Sequence, residues 1–155
     1  MLFDNLILGD KGMEKVQIYE RSAFYYETDR MDVIHHSNYI RWFEEARIHF
    51  MKNVGYPYDK MESEGIMLPV LSAECQYKSS VRFGDTVLIS ASVSQYNGFR
   101  MVIQYKICDK KTGELRAYGT TSHCFTDSEM KPIRINKHNP EIHDVFNNIS
   151  PFKLF

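Results

Sequence analysis

No stretch of this chain comes near the roughly 20 consecutive apolar residues that a membrane-crossing helix requires, so no spanning segment is expected. An excess of charge of one sign is missing as well. Lys and Arg number 19 against 20 Asp and Glu, a formal net charge of -1. Gripping a nucleic-acid backbone takes a basic surface that this balance does not supply, so no nucleic-acid partner is expected. Cysteine is scarce: Cys75, Cys108 and Cys124 are odd in number and unpaired in spacing. That removes a disulfide framework and a Cys-x-x-Cys metal site, and it suits a reducing compartment. The opening MLFDNLILGDKGMEK has an apolar patch broken by Asp4 and Asn5 and lacks the basic leader and cleavage site of a signal peptide. The expected location is cytoplasmic. Also absent are a Gly-x-Ser-x-Gly elbow, a Gly-x-x-x-x-Gly-Lys loop and a Gly-x-Gly-x-x-Gly turn, which leaves nucleophilic serine, ATP and NAD chemistry without a foothold.

Aromatic residues, by contrast, are plentiful. Ten Tyr, ten Phe and one Trp make 14% of the 155 residues, enough large side chains for one substantial core. The length fits a single domain over 1–155 with no internal repeat or linker. Residues 1–12 read as a loose lead-in, with Met13 an alternative start. Residues 136–155 read as a peripheral C-terminal segment whose Phe152, Leu154 and Phe155 are candidates to dock on the body.

One helix stands out over Asn38–Val54, where Tyr39, Phe43, Ala46, Phe50 and Val54 form an apolar stripe at helical spacing. Ile40, Trp42 and Met51 widen it, while Arg41, Glu45 and Lys52 lie off it. Ser37 or Asn38 is expected to cap the start, and Gly55 with Pro57 to end the helix. Downstream the period changes to two. Strands are expected over 66–77, 86–93, 101–108 and 115–125, with a first strand over 17–26. Asn97–Gly98 marks a tight hairpin and 109–113 a second turn. The order of strand, long helix and strand meander predicts an α+β fold with the sheet around one helix.

Between the first strand and the helix lies Glu27-Thr28-Asp29-Arg30-Met31-Asp32-Val33-Ile34-His35-His36-Ser37-Asn38. Three carboxylates, two imidazoles and an amide are many polar groups for one connection, and such loops concentrate function. Turn formation by Asp and Asn accounts for the same residues. A metal reading of Asp29, Asp32, His35 and His36 lacks the i, i+4 histidine spacing that sets two ligands on one helical face. Cys75 and Cys124 fall in strand patterns, where buried thiols are usual.

Tyr25-Tyr26-Glu27-Thr28-Asp29, Val33, His36-Ser37-Asn38-Tyr39 and Phe43-Glu44-Glu45-Ala46-Arg47 together resemble the signature of hot-dog-fold acyl-CoA thioesterases. The branch with 4-hydroxybenzoyl-CoA thioesterase and the Tol–Pal-associated thioesterase is the nearest in pattern. Tyr77-Lys78-Ser79-Ser80-Val81-Arg82-Phe83-Gly84-Asp85 and Ser122-His123-Cys124-Phe125-Thr126-Asp127 resemble later segments of that family, and the likeness covers roughly 16–135. The resemblance implies a hot-dog fold: an antiparallel β-sheet wrapped around one long central α-helix. It implies hydrolysis of an acyl-CoA thioester with Asp29 as nucleophile or general base, and His36 beside the thioester to polarise or orient it.

Asn38 and Tyr39 match positions of the motif and are expected on the substrate. Lys78 and Arg82, with Arg100, are candidates for the phosphates of coenzyme A. Phe24, Tyr25, Tyr39, Trp42 and Phe43 are candidates to line an acyl pocket or fill the core. Backbone N–H groups in Gly65–Leu68 are candidates for an oxyanion hole. No cofactor is expected, coenzyme A being part of the substrate. Two departures bear on substrate preference: Asp32 stands where the family usually has a small residue, often Gly, and His35 where it often has Tyr or Phe.

The resemblance also implies a homo-oligomer, a dimer or homotetramer, with active sites at the subunit interface. Rival readings are a hydratase or dehydratase on the same fold, a non-catalytic acyl-CoA sensor, and a thioesterase acting on acyl carrier protein.

Overall fold

Alternation of apolar and polar residues lays down the sheet. The computed structural model describes residues 15–155, so the expectations for 1–12 and Met13 lie outside the described residues. Five strands form: β1 (Val16–Ser22), β2 (Val70–Tyr77), β3 (Thr86–Tyr96), β4 (Arg100–Asp109) and β5 (Leu115–Cys124). They pair in the order β1-β3-β4-β5-β2, every neighbour antiparallel. On β4, Met101, Ile103, Tyr105 and Ile107 face one side and are fully buried, as a period of two requires. The β3–β4 hairpin turns at Gly98, with φ of +83°, while Asn97 Oδ1 accepts the N–H groups of Phe99 and Arg100.

Helix α1 (Ser37–Asn53) lies on that buried face, and its stripe of Tyr39, Phe43, Ala46 and Phe50 is buried together with Trp42 and Met51. Phe43 stacks on Tyr105 with ring centres 4.4 Å apart. A Cβ at Gly119 of β5 would stand 2.7 Å from Cε2 of Phe43 and collide with the Glu74 carbonyl. Helix and sheet meet this closely only over glycine. The α+β arrangement is the one expected.

Several boundaries differ for local reasons. The first strand stops at Ser22, because the Glu27 carboxylate accepts the Phe24 N–H and folds Tyr25–Glu27 into a 3₁₀ turn. Neither Ser37 nor Asn38 caps α1 with its side chain. His36 holds the cap position without a side-chain bond, and Nδ1 of His35 accepts the Ser37 N–H instead. After a short α2 (Tyr58–Ser63), the amides of Gly65 and Ile66 close back on Glu62 and Met61, so β2 begins only at Val70.

Two further helices follow the sheet, α3 (Ile135–His138) and α4 (Pro140–Ile149). Asn139 caps α4 through the Ile142 N–H, Pro140 occupies its first position, and Ile142, Phe146 and Ile149 are fully buried. Beyond α4 the chain crosses the sheet face opposite α1. The Phe152 N–H donates to the Val93 carbonyl, Ser92 Oγ donates to the Phe152 carbonyl, and the Leu154 N–H donates to Gln104.

A directional chain of hydrogen bonds runs between α1 and the sheet. Arg47 donates to the hydroxyls of Tyr58 and Tyr105 at 3.0 and 3.1 Å. Tyr105 and Thr121 are joined at 2.8 Å, Thr121 meets His123 Nε2 at 2.8 Å, and His123 Nδ1 faces the Leu68 carbonyl at 3.4 Å. Because a carbonyl only accepts, Nδ1 carries the proton. Nε2 of the neutral ring then accepts from Thr121, which accepts from Tyr105 in turn. Burial, with the Arg47 guanidinium as the second cause, pushes His123 down to about 4 from an ordinary 6.5.

Between those values the unfolded chain binds the proton and the folded chain does not, so stability rises with pH. The His123 contribution is complete above pH 6.5 and is lost as pH falls through about 4, a total of about 3 kcal/mol. Urea unfolding followed across this window should show a steeper loss of stability for the wild type than for His123→Gln, by about one proton.

Candidate functional site

The loop between β1 and α1 is rigid because most of its polar groups are spent within the fold. Glu27 is 4% exposed. Its carboxylate accepts from both terminal nitrogens of Arg21 on β1, from Trp42 Nε1 on α1 at 2.9 Å and from the Phe24 N–H at 2.8 Å. Its carbonyl accepts the His35 N–H and, at 3.0 Å, the side-chain amide of Asn38. Two residues on, Asp29 sits in a small turn. Its N–H donates to Val33, its carbonyl accepts the Asp32 N–H, and Thr28 bridges Ile34. Asp29 Oδ1 accepts the Met31 N–H at 2.8 Å, and Oδ2 has no partner among the described residues.

Asp32 adopts φ of +60° and is exposed. That is the left-handed region which glycine enters freely and Asp tolerates better than most residues. The departure at this position therefore keeps the turn. His35 stacks on His36 at 4.1 Å and bonds Ser37 Oγ at 2.8 Å. The second departure thus holds the start of α1.

Asp29, His36, Tyr39 and Lys78 line one cavity of about 270 Å³, with Met31, Tyr77 and Ser79–Ser80. Asn38 is not in its wall: its amide ties the Glu27 and His35 carbonyls together. Arg82 is exposed beside the cavity and reaches the Asp32 carbonyl at 3.4 Å. Arg100 lies in the wall of a second cavity at the β3–β4 hairpin, which has no carboxylate in it. Trp42 and Phe43 are core, whereas Phe24 and Tyr25 are exposed.

The wall residue that sequence reasoning missed is Tyr77. Its hydroxyl donates to the His36 carbonyl at 3.0 Å and its ring meets Tyr39 at 5.1 Å. The signal was the strand alternation that sets Cys75 and Tyr77 on the helix side of β2. Burial pushes the Tyr77 phenol up to about 12 and the Cys75 thiol up to about 11. Both stay protonated near neutrality, so neither supplies a nucleophile.

The N-terminus of α1 opens on the same cavity with no acidic residue in its first turn, leaving its positive pole uncompensated. From Ile34 to Tyr39 the main-chain N–H groups are engaged by Val81, Glu27, His35 and His36, with one exception. The N–H of His36 has no acceptor among the described residues. In the Gly65–Leu68 stretch, the amides of Gly65, Ile66 and Met67 are already bound to carbonyls. No acceptor engages the Leu68 N–H among the described residues, but Gly65–Leu68 do not line the Asp29 cavity, whereas His36 does.

A sequence profile described as the Thioesterase-like superfamily matches residues 25–148. The chain belongs to that superfamily. A Bacillus subtilis (strain 168) protein with the provisional name acyl-CoA thioesterase YneP is 36% identical over 123 residues, covering 79% of this chain and 88% of its own. The crystal structure of DHNA-CoA thioesterase from Staphylococcus aureus superposes with a TM-score of 0.82 at 36% identity, covering 86% of this chain and 90% of that one. A 4-hydroxybenzoyl-CoA thioesterase mutant bound to 4-hydroxybenzoyl-CoA shares the fold, with a TM-score of 0.76 at 14% identity over 88% of this chain and 99% of that one. The sheet around a central helix is thus the hot-dog fold of thioesterases.

Glu27→Gln would set an amide donor against Arg21 and Trp42 in a buried site. A loss of about 3 kcal/mol in chemical unfolding is expected, the usual cost of breaking a buried ion pair.

Proposed function

We propose that this thioester hydrolase cleaves acyl-CoA to free acid and coenzyme A in the Asp29 cavity. The observation that carries the reading is the pairing of an unengaged carboxylate oxygen on Asp29 with an unengaged N–H on His36, at the positive end of a 17-residue helix. The thioester carbonyl oxygen takes the His36 N–H, which strengthens as negative charge develops there. Asp29 then either removes a proton from water, whose oxygen attacks the carbonyl carbon, or attacks that carbon itself to give a mixed anhydride that water hydrolyses. In both routes the C–S bond breaks with its electron pair on sulfur. A thiolate leaves without a strong acid, so the chain's own groups suffice and no cofactor enters. The His36 ring and Tyr39 flank the acyl group, and Lys78 meets a phosphate, with Arg82 available just outside the wall.

The active unit is a homo-oligomer in this reading. β2 is an edge strand with every residue but Cys75 exposed, and Val70, Leu71, Ala73 and Tyr77 make it more apolar than the charged β1 edge. Such an edge invites a copy of itself, and a two-fold axis makes the pairing antiparallel. A homotetramer would need a second interface elsewhere, and exposed Tyr25, Tyr26, Met31 and Phe83 offer apolar surface near the site. Light scattering should return at least twice the 18.2 kDa of the chain; a monomeric mass refutes the assembly. Three unpaired thiols suit the cytoplasm.

The deciding experiment is thiol release from short, long and aromatic acyl-CoAs and an acyl carrier protein ester. Asp29→Asn should lower turnover at least about 100-fold while folding and acyl-CoA binding persist. Equal turnover in both proteins would remove Asp29 from the chemistry. Binding without wild-type turnover of any CoA ester would favour a sensor, and turnover confined to the carrier-protein ester would move the substrate there. Enoyl-CoA hydration without thiol release would identify a hydratase.

A further inference from the structure

The N–H of His36 belongs to the same peptide unit as the carbonyl of His35. That unit is planar and trans, so whatever holds the carbonyl also aims the N–H, in the opposite direction. His36 has helical backbone angles, φ of -55° and ψ of -29°. The His35 carbonyl lies along α1 as helical carbonyls do, and it accepts the Asn38 N–H at 3.0 Å. The His36 N–H therefore points back out of the helix start.

Asn38 adds a second bond to the same carbonyl. Its Nδ2 donates to the His35 carbonyl at 3.3 Å and to the Glu27 carbonyl at 3.0 Å. The Glu27 carbonyl also accepts the His35 N–H at 2.9 Å. One side chain thus clamps His35 at both ends of its backbone, on an acceptor that the buried Glu27 holds in place. Two N–H bonds from one nitrogen, on so short a stem, are what a side-chain amide offers and a hydroxyl or a carboxylate does not. Asn38 stands in the first turn without being the cap, where a better helix former would otherwise serve. Its two bonds account for it. A carbonyl that accepts twice also polarises its own peptide, which makes the N–H at the other end a stronger donor.

We infer that Asn38 is a positioning residue for polarisation of the thioester: by holding the His35 carbonyl it aims and strengthens the His36 N–H that takes the thioester oxygen. The inference rests on the acyl-CoA hydrolysis reading of the cavity. Asn38 is outside the cavity wall and touches no reacting atom. Its effect passes through one peptide unit and grows as negative charge develops on the oxygen. It therefore acts on kcat and leaves KM nearly alone.

Two measurements on the full chain test this: thiol-release kinetics, and the infrared carbonyl stretch of a bound acyl-CoA isotope-labelled at the thioester carbonyl. The stretch is read in the Asp29→Asn background, where the ester survives. Asn38→Ala should lower kcat about tenfold, less than the roughly 10²–10³ of losing an oxyanion donor outright, with KM within about twofold. In Asp29→Asn protein the stretch should lie below that of free acyl-CoA, and adding Asn38→Ala should return it part of the way. Asn38→Ser keeps one donor and a polar helix start, so it folds where the alanine variant does not. It should show both changes to a smaller degree. Ser37→Ala removes the bond to the His35 ring at the same helix start and leaves both Asn38 bonds, so kcat and stretch should match the parent. An unchanged stretch in the Asn38 variants, a loss confined to KM, or an equal shift in Ser37→Ala would each overturn the proposal. Wild type that binds acyl-CoA without hydrolysing it would refute the hydrolysis reading instead. The stretch needs no turnover and would still decide the role of Asn38. Wild type that does not bind acyl-CoA at all would overturn both.

Discussion

An arginine, an indole N–H and a main-chain amide converge on the carboxylate of Glu27, which has almost no contact with water. Taking a charge out of water is costly, and it is tolerated only where every oxygen is engaged. That condition forces Arg21 of β1, Trp42 of α1 and the 3₁₀ turn at Tyr25–Glu27 into one arrangement. The carbonyl of the same residue then takes the amide of His35 and the side chain of Asn38. Asp29, two residues along the chain, inherits a fixed position from this tie. So does His36, at the start of the helix. The candidate chemistry depends on a salt bridge that takes no part in it.

Three carboxylates within six residues consequently do three different things. Glu27 is sealed and structural, Asp29 is partly exposed in the cavity with one oxygen unengaged, and Asp32 faces solvent at a positive φ. The division follows from partners rather than residue type. A fully satisfied carboxylate stabilises a fold and has no lone pair to offer a substrate, whereas a partly satisfied one can act. The same logic separates the two groups of buried polar residues. The chain from Arg47 to His123 is closed at every step and ends on the Leu68 carbonyl just ahead of β2. It fixes where the exposed edge strand begins while leaving nothing over for catalysis.

These distinctions mark the limit of what the sequence alone could disclose. The helix was legible because Tyr39, Phe43, Ala46 and Phe50 repeat at its period, and β4 because Met101, Ile103, Tyr105 and Ile107 repeat at two. Asn97–Gly98 was legible because its backbone conformation excludes most other residues. The loop at 27–38 stood out by its density of polar groups, and Asp29, His36, Tyr39 and Lys78 do share one cavity. Which carboxylate would be buried was not legible, because Arg21 and Trp42 lie six and fifteen positions away from Glu27 and meet it only in the fold. Tyr77 was hidden for the same reason: it reaches His36 across 41 positions of sequence. Helix α4 went unread although Ile142, Phe146 and Ile149 recur at helical spacing behind the Asn139–Pro140 start. Of its three buried residues, Phe146 packs on Tyr96 and Phe125.

The sheet divides its surfaces among these tasks. One face carries α1 and the core, and at the helix start it opens into the cavity. The opposite face is lined by small polar residues such as Ser90, Ser92, Ser94 and Gln104, which would make a poor dry interface, and the chain closes part of it with its own residues 152–155. The β1 edge is charged, with Glu20 paired to Lys110. What remains open is β2, whose last residue, Tyr77, is also part of the cavity wall. A strand that is at once the available edge and one side of the cavity would couple the proposed association to the proposed chemistry. In the proposed assembly, a copy paired along β2 would lie beside Tyr77 and so beside the cavity wall.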